Sequence, residues 1–472
     1  MNVTHVARRG RFDRGVTPAP SSTAIDLAYR KLYQSAARHS GLVHSRVLMM
    51  RISFALPLLT MLAMPQPAWA QVAVADSGDT GWMILCALLV LLAALPGLML
   101  RHAGQVNVRN AVSVTAQGAS VAAVAALTWA IAGYSIAYAP GSAWLGGGAN
   151  LLLANLAQLR EGLTVPESAF VLFQLSIALL AACLLVGAVA ERTRIGWWIA
   201  FTPLWLLLVY APVAHAVWGG GWLADLGVMD FAGGLVLHGV AGFSALALAL
   251  IAGARREPSD PGHAPLLSLA GGGLLWIGLS GVVGGWALGA TDDAATAILN
   301  HLFAACAAAL TWGLLDRMLS ARTSATGILS GALAGIAAIS ASAALVGTGG
   351  AMLIGVIAAC VSRIGMGLLS GRVDDGASVF AIHGLGGLTG ILLLPLFVLP
   401  LLGGVGFDAN ISLLGALTSQ AIGLVVVALW AMVGSAIAAL VVSVVIPMRV
   451  SAQEEADGLD ASQHGQQGWD FR

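Results

Sequence analysis

From about residue 80 onward, long apolar stretches alternate with short polar segments along the chain. Most of these stretches approach or exceed the length of about 20 residues that a helix needs to cross the hydrocarbon core of a bilayer. The pattern therefore predicts eleven transmembrane helices joined by loops. Their approximate positions are 82–100, 111–138, 168–190, 195–214, 231–253, 265–290, 297–315, 325–346, 350–370, 379–402 and 414–446.

Two of the predicted helices begin with the same arrangement of an acid and a histidine. In the first helix, His238 follows Asp230 by eight residues, and in the second, His383 follows Asp375 at the same spacing. Both copies also carry Ala two residues after the acid and Gly nine and twelve residues after it. A single histidine in a membrane span can serve packing alone, but the repetition favours a functional pair.

The number of helices predicts how the two halves of the chain are related. Five predicted helices lie within about 82–253, five lie within about 265–402, and one remains at about 414–446. Because five is odd, the second half must be inverted relative to the first. The predicted fold class is an all-α polytopic membrane protein with two inverted five-helix repeats and a C-terminal brace helix. In such a fold, both histidines would approach the middle of the membrane.

Composition supports a membrane protein and excludes several other classes. Of the 472 residues, 58% are hydrophobic and 9% are charged, whereas soluble domains carry about 25% charged residues. The net charge of zero gives no indication of a nucleic-acid partner. The four cysteines lie in apolar stretches without metal-ligand spacing, so we expect buried free thiols and no metal site.

The beginning of the chain carries the features of a targeting sequence. Residues 1–48 are polar and arginine-rich, and residues 49–70 combine a basic flank, a short apolar core and an Ala-Trp-Ala ending. This pattern predicts a signal peptide that is cut after Ala70. Residues 1–48 would be a non-native or disordered extension, with an organellar transit segment as the alternative. The membrane domain would occupy 71–449, followed by a polar tail at 450–472.

Basic residues mark one side of the predicted membrane domain. Loops after odd-numbered helices carry arginines such as Arg192, Arg255 and Arg372, whereas loops after even-numbered helices carry little beyond Arg160. Loops rich in Lys and Arg usually face the cytoplasm. We therefore predict a multi-pass protein of the cell (inner or plasma) membrane, with its N-terminus outside and its C-terminus in the cytoplasm.

Several segments are similar to sequence motifs of a known family. They are Gly-Ala-Val-Ala-Glu-Arg at 187–192, the Trp-Gly-Gly-Gly end of 213–221, the acid–histidine segments at 230–239 and 374–384, and a tail segment at 458–465. Together they resemble the ammonium transporter family (Amt/Mep/Rh), over about residues 78–467. The resemblance implies nitrogen uptake by a homotrimer with one narrow pore per subunit and no cofactor. It also implies a PII-type regulatory protein as a partner at the cytoplasmic tail.

The resemblance also implies roles for individual residues. His238 and His383 match the paired pore histidines of the family, and Trp218 and Asp230 match its outer recruitment site. The physical argument agrees, because an ammonium ion entering an apolar pore would lose its hydration at a cost of tens of kcal/mol. Releasing its proton leaves neutral ammonia. Two neutral imidazoles that share a hydrogen bond could line the path of ammonia and relay the released proton.

The sequence departs from the family at the pore. Ile177 and Val282 align with two phenylalanines that usually stack beneath the outer site, so they are predicted to form an apolar constriction. Trp286 aligns with a serine of the recruitment site. It would either face Trp218 as a second aromatic surface, with a cation–π interaction of about 0.5–2 kcal/mol, or fill the vestibule. Residues 101–104 are Arg-His-Ala-Gly where the family tends to have Phe-Tyr-Gly-Gly.

The leading hypothesis is ammonium transport, by deprotonation of ammonium at an outer vestibule and passage of ammonia through a narrow apolar pore. Because the constriction is altered, an ammonium sensor with little conduction and a channel for another small neutral solute are the alternatives. An enzyme is not predicted, since no nucleophile or metal cluster accompanies the acids and histidines. His215 and His301 lie near predicted membrane boundaries and are expected to be structural.

Overall fold

The computed structural model describes residues 75–256, 262–407 and 411–469, which excludes the predicted signal peptide and the extension before it. Within these ranges, ten helices are long and apolar enough to cross a membrane, and an eleventh apolar helix is shorter. The predicted all-α membrane fold is confirmed. In chain order the membrane helices are α1 (Ser77–Gln105), α2 (Val108–Tyr138), α3 (Glu167–Ala188), α4 (Ile195–Asp225), α5 (Gly234–Ala252), α6 (Pro265–Gly285), α7 (Asp292–Ser320), α8 (Ala325–Ile339), α9 (Thr348–Leu369), α10 (Phe380–Phe397) and α11 (Leu413–Val445).

Several helices begin before the apolar stretches that predict them. α1 begins at Ser77, because the Asp76 side chain accepts a hydrogen bond from the Asp79 N–H at 2.9 Å and caps the helix. α7 begins at Asp292 and is capped by Thr291. These capping residues are polar, so a search for apolar residues alone places the helix starts too late.

α8 ends at Ile339 although the apolar stretch continues past that residue. After Ile339 the chain turns, and the Ser340 carbonyl oxygen accepts a hydrogen bond from the Ala232 N–H at 2.8 Å. The Ala341 carbonyl oxygen accepts another from the Phe231 N–H at 3.0 Å. Buried backbone groups need partners, and the segment before α5 supplies them. The helix can therefore stop inside the protein.

Helices at equivalent positions in the two halves pack against each other. α1 packs along α6, and α5 packs against α10. Glycines make the α5–α10 contact close: a Cβ on Gly242 would overlap the backbone of Gly384, and a Cβ on Gly387 would overlap the carbonyl oxygen five residues before Gly239 and lie 3.4 Å from the Gly239 nitrogen. These are the glycines that recur nine and twelve residues after the two acids. Their repetition is thus explained by a helix crossing in which neither backbone can carry a side chain.

α11 packs along α4, α5 and α10 and closes the bundle, as expected of a brace helix. Its other face is exposed and apolar, as are the outer faces of α7 and α9, which suits contact with lipid. The expectation that all cysteines are buried is wrong in part. Cys86 and Cys183 are buried, but Cys360 is only half-buried and Cys306 is exposed on α7. Apolar sequence context cannot distinguish a core-facing position from one that faces lipid.

The C-terminal tail forms two short helices, α12 (Ala452–Asp457) and α13 (Leu459–His464), bound to one end of the bundle. We call this end the tail face; it consists of the tail and the loops α1–α2, α3–α4, α5–α6, α7–α8 and α9–α10. Asp460 accepts hydrogen bonds from Ser113 N–H (2.7 Å) and Val112 N–H (3.1 Å) at the start of α2. The tail is thus bound to the start of α2 of its own chain.

Ion pairs connect the loops of the tail face. Arg255 pairs with Asp374 at 2.6 Å and also with Glu191, so that the ends of α3 and α5 are joined to the segment before α10. Arg192 donates a hydrogen bond to the Asp374 carbonyl oxygen at 2.5 Å. Burial raises the pKa of Asp374, but the hydrogen bonds from Arg255 and the charge of Arg192 outweigh burial and leave this pKa below its ordinary value.

Candidate functional site

The two repeated histidines meet where α5 crosses α10. His238 Nδ1 lies 3.0 Å from His383 Nδ1, and the two rings are nearly parallel with an interplanar angle of 10°. His238 is 0% exposed and His383 is 4% exposed. Since two ring nitrogens face each other at hydrogen-bond distance, one must donate and the other accept. The pair therefore holds a single proton between its two Nδ1 atoms.

Both histidines lie in π-helical turns, His238 in Gly234–Gly239 and His383 in Phe380–Gly384. A π turn inserts an extra residue into the helix and occurs often at functional sites. The two turns occupy equivalent places in the two repeats, directly beside the glycine crossing. Each helix is thus locally widened at the position where the two rings come into contact.

The two repeated acids are helix caps. The Asp230 carboxylate accepts four backbone hydrogen bonds of 2.6–3.0 Å, from the N–H groups of Gly233, Gly234, Leu235 and Val236. Asp375 accepts hydrogen bonds from Val379 N–H (2.9 Å) and Phe380 N–H (2.7 Å). Each carboxylate places a fixed negative charge at the positive end of a helix. Because backbone donors occupy both Asp230 oxygens, the carboxylate is oriented toward the helix and not toward an arriving ion.

Trp218 and Trp286 are in direct contact on the face opposite the tail, which we call the tryptophan face. Their ring centroids lie 4.2 Å apart at an interplanar angle of 47°. Trp218 Nε1 donates to the Asp230 carbonyl oxygen at 2.8 Å, so the ring is held beside the start of α5. Trp286 also packs edge-on against Phe173. A cation between two aromatic faces needs a separation of about 7 Å, twice the carbon contact distance, so these rings leave no space for one.

The predicted constriction residues are both fully buried. Ile177 lies one turn along α3 from Phe173, which contacts Trp286, and Val282 lies one turn along α6 from Trp286. Ile177 and Val282 thus each lie one helical turn from a residue of the Phe173–Trp286 contact. Both are branched aliphatic residues without a polar atom in the side chain.

Two other buried histidines, His215 and His301, have backbone partners. The two ring nitrogens of His215 lie 3.0 Å and 2.8 Å from the carbonyl oxygens of Ala137 and Ser142. His301 Nε2 lies 3.3 Å from the Trp276 carbonyl oxygen. His301 is well inside α7 and not near a helix end, because α7 begins earlier than predicted. In the ranges that the structure describes, no group of three or more His, Cys, Asp or Glu side chains could hold a metal ion.

Ser340 and a pair of phenylalanines lie at the histidine crossing and are not predicted by the sequence. Ser340 Oγ lies 3.3 Å from His238 Nε2, at the point where α8 ends. Phe243 and Phe380 form an edge-to-face pair with ring centroids 5.4 Å apart, across the same crossing. Ser340 and Ser342 interrupt an apolar stretch, and this interruption was the available signal. Nothing in the local sequence indicates that Ser340 lies beside a histidine about a hundred residues earlier.

A model of the Ammonium Transporter Family matches residues 81–469. The chain is 35% identical over 402 residues to a Bacillus subtilis protein described as an ammonium transporter, with 83% of this chain and 98% of that protein aligned. Among solved structures, it is similar to a sensor Amt protein, with a TM-score of 0.77, 28% identity, and coverage of 82% of this chain and 98% of that one. It is also similar to Mep2 of Candida albicans, with a TM-score of 0.75, 31% identity, and coverage of 80% and 88%.

Proposed function

The chain belongs to the ammonium transporter family; it is a multi-pass membrane protein that transports ammonium and is not an enzyme, and we propose that the substrate passes the His238–His383 pair as neutral ammonia. The observation that carries this mechanism is the 3.0 Å contact between the two Nδ1 atoms in a fully buried site. Dehydrating an ammonium ion there would cost tens of kcal/mol, whereas ammonia crosses a dry segment at small cost.

The histidine pair suits this role because it is polar without being a carboxylate. A carboxylate at this depth would trap a cation, and an apolar side chain would offer ammonia no hydrogen bond. One imidazole can accept a hydrogen bond from ammonia and the other can donate one, depending on the position of the shared proton. The same hydrogen bond gives a proton released from ammonium a route between the two repeats.

In this proposal, Trp218, Trp286 and Asp230 form the recruitment site on the tryptophan face, and Ile177 with Val282 form the constriction below it. Trp218 supplies a cation–π surface, and the cap Asp230 adds negative charge without carrying protons. Trp286 lies against the Trp218 surface and must move before an ion can occupy it. The contact between the two rings supports an outer site that is closed until Trp286 rotates.

The tryptophan face is proposed to lie outside the cell membrane and the tail face in the cytoplasm. The arginines of the tail face support this orientation, because basic loops remain on the cytoplasmic side. A cavity of about 440 Å³ opens on the tail face, lined by residues that include Asp374, Asp375 and Ser378. This cavity is a suitable exit vestibule. Accessibility labelling of cysteines introduced on either face of intact cells tests the orientation.

Uptake of methylammonium into cells tests the histidine mechanism. His238→Ala and His383→Ala should each reduce uptake at least about tenfold, since either change removes the shared hydrogen bond. The matched control is His263→Ala, a half-buried histidine of the tail face, which should leave uptake within about twofold. Normal uptake in both pore variants would contradict the mechanism.

A sensor with little conduction is the second candidate. The closed tryptophan pair favours it, and one structural relative is a sensor Amt protein. Purified protein in liposomes separates the two candidates. Ammonium binding without ammonium flux in the wild-type protein would support the sensor, whereas flux that depends on His238 supports the transporter.

Three further features are proposed from the family. The protein is a homotrimer, and native mass spectrometry showing only monomers in mild detergent would contradict this. The tail face binds a PII-type regulatory protein, which co-purification would detect. Residues 49–70 act as a signal peptide, so N-terminal sequencing of the membrane-purified protein should begin near Gln71.

A further inference from the structure

Arg101 places a positive charge inside the membrane domain without a carboxylate partner. We propose that Arg101 is a selectivity residue, whose charge excludes cations from the tail-face half of the path while neutral ammonia passes. This inference rests on the proposed path through the histidine pair. It adds a residue on α1 that neither the recruitment site nor the histidine pair contains.

The surroundings of Arg101 distinguish it from the buried Arg192 and the half-buried Arg363. Its side chain is 2% exposed and donates one hydrogen bond, from Nη2 to Ser330 Oγ at 3.2 Å. The second terminal nitrogen, Nη1, is buried without a hydrogen-bond partner, and no carboxylate of the described residues lies within 4 Å of it. Arg192 and Arg363, by contrast, each pair with an aspartate. A buried charge without a counter-ion is costly, so its retention needs a functional explanation.

The partner of Arg101 locates this charge relative to the path. Ser330 is on α8, ten residues before Ser340, whose hydroxyl lies against His238. At 1.5 Å per residue, the two serines are separated by about 15 Å along the helix axis, with Ser330 nearer the tail face. Between them, Ala334 and Ala337 contact Gly386, next to the histidine crossing.

Neighbouring residues agree with a position below the histidine pair. The absence of a side chain at Gly272 leaves space for the guanidinium, since a Cβ there would lie 3.2 Å from Nη1. The next residue, His102, packs against Gly187 and lies in a small cleft with Ala377, beside the Asp375 cap.

A fixed positive charge at this level repels cations and exerts no net electrostatic force on neutral molecules. In a protein interior its field is weakly screened, so potassium, sodium and ammonium ions all meet a barrier. Ammonia carries no net charge and meets none. Arginine serves as a cation barrier in other membrane pores. The family tends to have phenylalanine at this position, and phenylalanine can exclude ions by dehydration but not by charge.

The test compares Arg101→Met, which removes the charge at similar length, with Arg101→Lys, which keeps it. Purified full-length variants are placed in liposomes containing a pH dye for ammonium flux and a potassium indicator for potassium flux. Arg101→Met should lower the ratio of ammonium flux to potassium flux about tenfold or more, whereas Arg101→Lys should keep the ratio within about twofold of wild type. Arg322→Met, which removes an exposed arginine of the same face, should leave the ratio unchanged.

The outcomes distinguish this inference from the proposed function. Absence of ammonium flux in the wild-type protein would contradict the transport mechanism. In that case, the potassium flux of Arg101→Met relative to Arg101→Lys still shows whether the charge at this position blocks potassium. Equal ratios in the Met and Lys variants would overturn the inference and leave Arg101 a packing residue. Thermal unfolding provides a folding control, because loss of an unpaired buried charge should keep or raise the unfolding temperature of Arg101→Met.

Discussion

At the scale of single residues, Trp286 is the side chain that covers the proposed recruitment site. An open site requires one aromatic face accessible to the arriving ion. Trp286 instead covers Trp218, with ring centroids 4.2 Å apart, and packs against Phe173. Its indole N–H is buried without a partner among the described residues, so no hydrogen bond fixes the ring in this place. Rotation of one side chain would therefore open the site.

Trp286→Ser should raise the maximal ammonium flux several-fold, because a serine side chain leaves the Trp218 face uncovered. Apparent affinity should change only modestly, since one cation–π face contributes about 0.5–2 kcal/mol. Ammonium-dependent flux into liposomes containing the purified variant measures both quantities. If flux falls and affinity weakens together, Trp286 recruits the ion and does not cover the site.

The matched control for this change is Trp144→Ser. Trp144 lies on the same face, is exposed, and contacts Trp222 but neither Trp218 nor Trp286. The substitution should leave flux and affinity close to wild type. An equal rise in flux for both variants would indicate a general loosening of the tryptophan face.

At the scale of elements, the crossing of α5 and α10 sets the geometry of the histidine pair. The two π turns bring the histidines to the crossing, and Gly242, Gly384 and Gly387 let the helices approach closely. A helix contact without side chains cannot adapt to an added methyl group, because backbone atoms lie in the way. Stability and the geometry of the histidine pair therefore depend on the same few positions.

Gly387→Ala should destabilise the protein by about 1–3 kcal/mol, the usual cost of overpacking a filled interior. The new Cβ would meet the backbone of α5 and displace His238, so ammonium flux should fall as well. The decrease in thermal unfolding temperature in detergent measures the first effect, and liposome flux measures the second.

Gly273→Ala on α6 provides the control, because nothing lies within 4 Å of a Cβ built at Gly273. This change should be neutral, or stabilising by up to about 1 kcal/mol through improved helix propensity. Equal losses in both variants would mean that any glycine-to-alanine change harms the bundle, and would remove the argument for a close crossing.

At the scale of the whole molecule, charged loops and the tail form one connected end of the bundle. Arg255 joins Glu191 and Asp374, while Glu455 of the tail accepts hydrogen bonds from Arg449 at 2.9 Å. The tail is therefore connected to the same face that carries the cavity beside Asp374. Charge pairs of this kind depend on ionised carboxylates, so the tail face should respond to acid.

Asp374 determines the sign of that response. Its pKa in the folded protein lies below the ordinary value, so its ion pairs contribute fully above the unfolded pKa of about 3.9. This contribution is lost as pH falls through the folded pKa. We predict no loss from Asp374 between pH 7 and about 5 and a loss of stability below about pH 4.

Asp374→Asn should lower stability at pH 7 by about 1.5–3 kcal/mol, as expected when hydrogen bonds to a charged group are lost. It should also reduce the loss of stability below about pH 4, since the titrating carboxylate is gone. Thermal unfolding of both proteins from pH 7 to pH 3 measures these effects. Asp225→Asn, on the tryptophan face, is the control; an equal decrease at pH 7 would contradict the role of Asp374.

The sequence by itself determined the class of the protein and the identity of its central pair. Apolar stretches of membrane length and a bias of arginine among loops are properties of adjacent residues, so no tertiary contact is needed to detect them. The repeated Asp-x7-His spacing identified His238 and His383, because internal duplication copies a pattern along the chain. The glycines at fixed distances from the two acids were recognisable for the same reason.

Only the tertiary structure decided what each of these residues contacts. The early end of α8, the contact of Ser340 with His238 and the closure of Trp286 onto Trp218 all depend on neighbours far away in the sequence. Arg101 is part of an ordinary basic loop end in the sequence, yet folding buries it without a carboxylate. Burial and partners are sums over distant segments, and local hydrophobicity does not contain that information.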